Sequence, residues 1–196
     1  MGATIDCAAT RWQPGIGDPT WQGWATVLLY LVVAALALRT AGQGLFPATS
    51  YRRERVFWLV VSGFMLALAV NKQLDLQSAL TAVGRCAARA QGWYQDRRLV
   101  QTGFLAAIAV AAILLLLALL RVLRGTLPRT GLAVVGLVFV SGFVLMRAVG
   151  FHHFDRMLGI PVVGVRANLV LESVGPILIA VGAILAVRLP ARPTRR

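Results

Sequence analysis

The sequence predicts an all-α membrane protein: a five-helix transmembrane bundle with an amphipathic helix at its outer interface. Three observations predict it. Five apolar stretches, at about 21–39, 56–71, 99–120, 131–149 and 167–188, each approach the ~20 residues that a membrane-spanning helix needs. The 196-residue chain is 58% apolar with a mean hydropathy of +0.74, far from the composition of a soluble domain. Almost every acid, both histidines and both cysteines gather at one end of the resulting bundle, whereas arginine dominates the other. No connection is long enough for a separate soluble domain, so residues 1–196 read as a single transmembrane domain.

Charge sets the expected orientation. With the N-terminus outside, the inner segments hold eleven arginines against the single acid Glu54, a net +10; the outer segments hold nine cations and six acids, a net +3. The runs YRRER, RVLR and RPTRR lie hard against helix ends, which is the positive-inside pattern. The expected setting is therefore a bacterial inner (plasma) membrane, multi-pass, with the N-terminus outside and the C-terminus cytoplasmic. The expected partners are the lipid bilayer, anionic lipid headgroups drawn to the basic ends, and other membrane-protein subunits. Nucleic acid is not expected, despite the net charge of +13, because the cations flank apolar spans. The first residues, MGATIDCAATRW, lack the basic-then-apolar pattern of a cleavable signal. The first span is expected to direct its own insertion.

Residues 1–20 read as an irregular polar lead with Pro14, Gly15, Gly17 and Pro19. Trp12, Trp21 and Trp24 mark the outer interface, where tryptophan prefers the headgroup level. The second span looks short, running from Val56 to Asn71, and its Gly63 and Ala67 offer a small-residue face to a neighbouring helix. Over about 74–91, Leu76, Leu80, Val83, Ala87 and Ala90 recur at helical spacing, with Asp75, Ser78, Arg85 and Arg89 elsewhere around the helix. That pattern predicts an interfacial helix. The third span is the plainest and the best candidate to face lipid. The fourth is glycine-rich and carries Arg147; the fifth carries Glu172 and Pro176. A mid-helix proline implies a kink, or a packed neighbour for the freed carbonyl.

Cys7 and Cys86 both fall on the outer side, where an oxidising compartment would let them pair and tie the lead to the second outer loop. Two unrelated small residues are the alternative.

The polar groups of the outer end form the candidate site. Ionisable groups inside the apolar layer are expensive and take a partner or line a wet cavity. Arg147 and Glu172 sit at matching depth on consecutive antiparallel spans, so a salt bridge between them is expected, either to fix register or to hold a ligand. Asn168 and Glu172, four apart, share a helix face. Asn71, Lys72 and Asp75 reach the same level from the second span, His152, His153 and Asp155 from the fourth, and Arg97, Arg98 and Gln101 from the third. The one candidate metal set is His152, His153, Asp155 and Glu172. Adjacent residues on a helix point about 100° apart, and no HxxxH or HExxH spacing occurs, so no metal site is expected. No motif indicates a Ser or Cys nucleophile or a phosphate-binding loop, and no cofactor is assigned.

The segments NKQLDLQ, GWYQDRR with Gln101, FHHFD and ANLVLE resemble those of a group of small, uncharacterised bacterial polytopic membrane proteins, over about residues 57–175. The resemblance implies a multi-pass fold and brings no activity or site assignment. Some members carry the label isopropylmalate isomerase. That label does not fit here, because the soluble enzyme holds an iron–sulfur cluster through cysteines and this chain has only two. Three functions fit the sequence, led by an accessory or interaction subunit of a larger membrane assembly. The others are a membrane-embedded enzyme or lipid-binding protein at the outer leaflet, and a small transporter or channel.

Overall fold

The computed structural model describes the chain except residues 1, 14, 44–45, 93–94, 96, 150–160, 163–164 and 189–196. It is an all-α bundle. The helices are α1 (Gly2–Ala9), α2 (Trp21–Gly42), α3 (Tyr51–Leu74), α4 (Leu76–Ala90), α5 (Arg97–Val122), α6 (Leu127–Val149) and α7 (Ala167–Arg188). A two-residue antiparallel pair, β1 (Pro161–Val162) with β2 (Val165–Arg166), precedes α7 in register Pro161↔Arg166. Helices α2, α3, α6 and α7 are long and apolar enough to cross a membrane, and α5 adds the apolar run Ala106–Val122. The chain is a multi-pass membrane protein.

The bundle is ordered α3, α2, α7, α6, with α5 applied sparsely to α6. Its core is built from Tyr30, Val33 and Ala37 of α2, Trp58, Val61 and Met65 of α3, and Ile179 and Ala183 of α7. Two hydroxyls cross the seams: Ser62 Oγ donates to the Ala34 carbonyl at 2.9 Å, and Thr40 Oγ1 to the Ala183 carbonyl at 3.4 Å. Where no hydrophobic difference separates protein from lipid, such bonds and close packing hold helices together.

The closest approach is between α6 and α7. A Cβ added at Gly136 would lie 2.7 Å from the Gly175 carbonyl, and one at Gly175 would lie 2.8 Å from the Gly136 carbonyl. Each glycine is required because the opposing atom is backbone and cannot give way. This corrects the expectation for Gly63 and Ala67. Both are exposed, and among the described residues nothing beyond its own stretch of helix lies within 4 Å of a Cβ built on Gly63. Small-residue spacing occurs on several spans, and only lateral order decides which pair meets. Pro176 is fully buried in the same seam, within an uninterrupted α7.

Two further expectations change. Part of the N-terminal lead is helical, because α1 packs on α4 and is fastened there by a Cys7–Cys86 disulfide with Cα atoms 6.0 Å apart. Helix α4 buries Ala82, Cys86 and Ala88, while Leu76 and Val83 remain 41% and 47% exposed. The apolar face that marks α4 as an interfacial helix is thus left uncovered by the protein at Leu76 and Val83. The second span is also longer than its apolar run. Helix α3 begins at Tyr51, and its first turn exposes Arg52, Arg53 and Arg55 while burying Glu54.

Candidate functional site

At the end capped by α1 and α4, one carboxylate organises the polar layer. Glu172, on the second turn of α7, is only 6% exposed. Its Oε1 accepts from the Tyr30 hydroxyl at 3.1 Å; its Oε2 accepts from Lys72 Nζ at 3.0 Å and Asn168 Nδ2 at 3.3 Å. The donors come from α2, α3 and the preceding turn of α7. Three donors, one of them cationic, compensate the desolvation that a buried carboxylate suffers.

Lys72 has a second acceptor. Its Nζ lies 3.5 Å from Asp18 Oδ2, in the loop before α2. That loop is built to hold the aspartate. The Thr20 hydroxyl donates to Asp18 Oδ1 at 2.6 Å while accepting from the Gly23 amide as the N-cap of α2. The Gly17 amide donates to the Gln73 carbonyl at 2.6 Å, pinning the loop to the end of α3. A Cβ at Gly17 would sit 2.8 Å from Asp75 Cβ, so this contact also needs glycine. Burial alone would raise the Asp18 carboxyl, but the Thr20 hydroxyl and the Lys72 ammonium outweigh it. The net position is below the ordinary aspartate value of 3.8.

Between α2, α3, α6 and α7 lies a cavity of about 50 Å³, lined by Tyr30, Leu68, Asn71, Lys72, Asp75, Phe143, Val144 and Glu172. It has room for a few water molecules. Asp75 joins α3 to α4 in a left-handed conformation, φ 46°, which Asp tolerates better than most residues. Nearby, both side-chain polar atoms of Gln73 and the Asn168 Oδ1 are buried without a partner among the described residues.

Of the residues nominated from sequence, the structure brings together Asn71, Lys72, Asp75, Asn168 and Glu172. His152, His153 and Asp155 lie outside the described residues, as do the side chains of Arg97, Arg98, Gln101 and Arg147. The described partners of Glu172 are Lys72, Tyr30 and Asn168; the expected pair with Arg147 falls outside the described side chains. Among the described residues, no group of three or more His, Cys, Asp or Glu side chains could hold a metal. Two contributors escaped the sequence reading. Tyr30 was signalled only as a lone hydroxyl inside an apolar span, and Asp18 by its place in GDPT.

A second buried ion pair stands at the arginine end. Glu54 is fully buried; its Oε2 lies 3.2 Å from Arg129 Nε, and its Oε1 accepts from the Ser50 hydroxyl at 2.7 Å. Arg129 also donates to the Ala186 carbonyl at 2.9 Å and stacks 5.5 Å from the Phe46 ring centre. This cluster clamps the starts of α3 and α6 to the end of α7. The sequence signal was Ser50 and Glu54 four apart, hidden within a run of arginines.

No family model matches the chain, and neither does any curated protein or solved structure. The resemblance carried by NKQLDLQ, GWYQDRR, FHHFD and ANLVLE has no counterpart among them.

Proposed function

We propose that the chain is an interaction subunit of a larger assembly in a bacterial inner membrane, with its N-terminus outside and its C-terminus cytoplasmic. The observation that carries this reading is α5. Consecutive side chains Ile113, Leu114 and Leu115 are 57%, 61% and 70% exposed, although three successive residues span about 200° of a helix. Among the described side chains of α5, only Ile108, Ala112, Leu116, Leu119 and Leu120 are partly covered. A helix so little covered by its own chain offers most of its circumference to a neighbouring helix. The polar layer is compatible with the same reading, because Lys72 is already paired within the chain, with Glu172 and Asp18.

The orientation draws on two features. Disulfides persist in oxidising compartments, which suits the end holding Cys7–Cys86 to the outer face. Exposed arginine crowds the opposite end, which suits the cytoplasmic leaflet and its anionic headgroups.

The test is mild-detergent purification of the tagged chain beside a Leu114→Trp/Leu115→Trp variant. A stoichiometric membrane protein retained by the first and lost from the second supports the reading; a chain that emerges alone from its native membrane overturns it. A second reading, a membrane-embedded enzyme or lipid-binding protein at the outer leaflet, is favoured by one observation. Asn71, Lys72, Asp75 and Glu172 face a common cavity. It predicts that Glu172→Gln abolishes an activity while folded yield stays normal.

A further inference from the structure

We infer that the arginine end carries a binding site for an anionic phospholipid of the surrounding bilayer, with the phosphate held at the start of α3 and an acyl chain along its outward face. Three observations converge on it.

The charge is unbalanced and accessible. Every described arginine at this end except Arg129 is exposed. Glu54, the one acid at this end, is fully buried and already paired with Arg129. Among the described residues no acid pairs with the exposed guanidinium groups at this end, and an anionic ligand at headgroup level would neutralise them.

Two helices bring their arginines together. Arg53 donates to the Val122 carbonyl at the end of α5 at 3.4 Å and to the Thr49 carbonyl at 3.3 Å. Those bonds fasten the end of α5 beside the start of α3. Arg52 and Arg55 on α3 thus share one end of the bundle with Arg121 and Arg124, at and just beyond the end of α5. Guanidinium groups offer paired donors that match phosphate oxygens.

The surface below the arginines has the shape of a lipid tail site. The outward face of α3 continues from Arg52 and Arg55 through Val56, Leu59, Gly63 and Leu66, all exposed. Gly63 leaves a notch, with nothing among the described residues beyond its own stretch of helix within 4 Å of a built Cβ. From Val56 to Leu66 the helix rises about 15 Å, the depth of one leaflet of a ~30 Å hydrocarbon core. A cationic head above an apolar, notched strip one leaflet deep complements an anionic phospholipid.

The site deepens the lipid contact proposed above and rests on that contact, not on the protein partner. The experiment is native mass spectrometry of the purified chain titrated with dioleoyl phosphatidylglycerol or dioleoyl phosphatidylcholine. Since the readout is an adduct on the isolated chain, it stands apart from the search for a partner. Each arginine near an anionic surface adds about fivefold in affinity. The wild type should therefore retain phosphatidylglycerol at least about tenfold better than phosphatidylcholine. Arg52→Gln/Arg55→Gln should lose about tenfold of that preference; both side chains are exposed, and Arg53 is left to hold α5. The charge-matched Arg39→Gln/Arg188→Gln should keep the preference within about twofold, and Gly63→Leu should weaken retention of phosphatidylglycerol by filling the notch. Equal retention of both lipids would overturn the site. So would an equal loss in the charge-matched control, which would mean a diffuse field. An unaffected Gly63→Leu would overturn the placement of the acyl chain.

Discussion

Each end of the bundle buries a glutamate among the helices, and the two are satisfied in different ways. At the arginine end, the described cation paired with Glu54 is Arg129, which also donates to the Ala186 carbonyl and lies over the Phe46 ring. At the capped end, Glu172 shares its lysine with Asp18, takes two neutral donors, and borders a cavity. The first cluster is closed and has one arrangement. The second is open: its cation has two acceptors, one buried and one near the surface, with space for water between the helices. A buried pair with a single arrangement serves as a mechanical fastener. A cation with two acceptors can redistribute when one is lost, so the same change of charge should have different consequences at the two ends.

The largest effect is expected at the closed cluster. Arg129→Met strands a fully buried carboxylate, which costs about 3–5 kcal/mol. Folded yield and the midpoint of denaturation by sodium dodecyl sulfate should both fall steeply. The double change Glu54→Leu/Arg129→Met should recover most of that loss, because an apolar pair needs no compensation. If the double variant is no better folded than Arg129→Met, the fastener description is wrong.

Next comes the cap over the open cluster. Cys7→Ser/Cys86→Ser removes a cross-link across 79 residues, a change that typically costs about 2–4 kcal/mol. The loss should be local. Limited proteolysis should cut near residues 10–17 in the variant and leave the four long helices intact. Cleavage within α2 or α3 would show instead that the bond supports the whole bundle.

Glu172→Gln should be milder than either, about 1–2 kcal/mol, since a neutral amide oxygen still accepts from Tyr30 and Lys72 retains Asp18. The comparison between the ends sharpens if its denaturation midpoint lies between wild type and Arg129→Met. It breaks if Glu172→Gln proves the more damaging of the two.

The smallest effect concerns pH. Asp18 titrates below 3.8, so its contribution is fully present above that value and fades as pH falls through the lower folded value. Amide exchange at Gly17 and Thr20, corrected for intrinsic rates, should quicken only below about pH 4. Asp18→Asn should abolish that dependence. A transition near neutrality would point to a different titrating group.

Much of the fold was legible because the membrane sets a length, and five apolar runs of that length are hard to misread. The ends of the helices were less legible. Helix α3 starts five residues before its apolar run because Arg52, Arg53 and Arg55 face out while Glu54 turns inward; composition alone hides that division. Position along the bundle was more legible: Glu172 meets Tyr30 and Lys72 from other helices, since distance along a helix converts to distance along the bundle. Lateral order was not readable. Helix α7 packs between α2 and α6, so Tyr30 and Lys72 reach Glu172 from helices far away in sequence. The same gap explains Gly63: its spacing was suited to helix contact, but the tight seam formed at Gly136 and Gly175.

The disulfide has a consequence for the order in which the protein is made. Its 79-residue span contains all of α2 and α3, one running away from the cap and the other returning. Closing the bond therefore completes a covalent ring that threads the bilayer twice. The ring cannot close until the second crossing is finished and Cys86 has arrived beside Cys7. A chain halted after its first crossing has no partner to oxidise. The shift of the oxidised band on a non-reducing gel would thus serve as a clock for hairpin insertion, read from one covalent event.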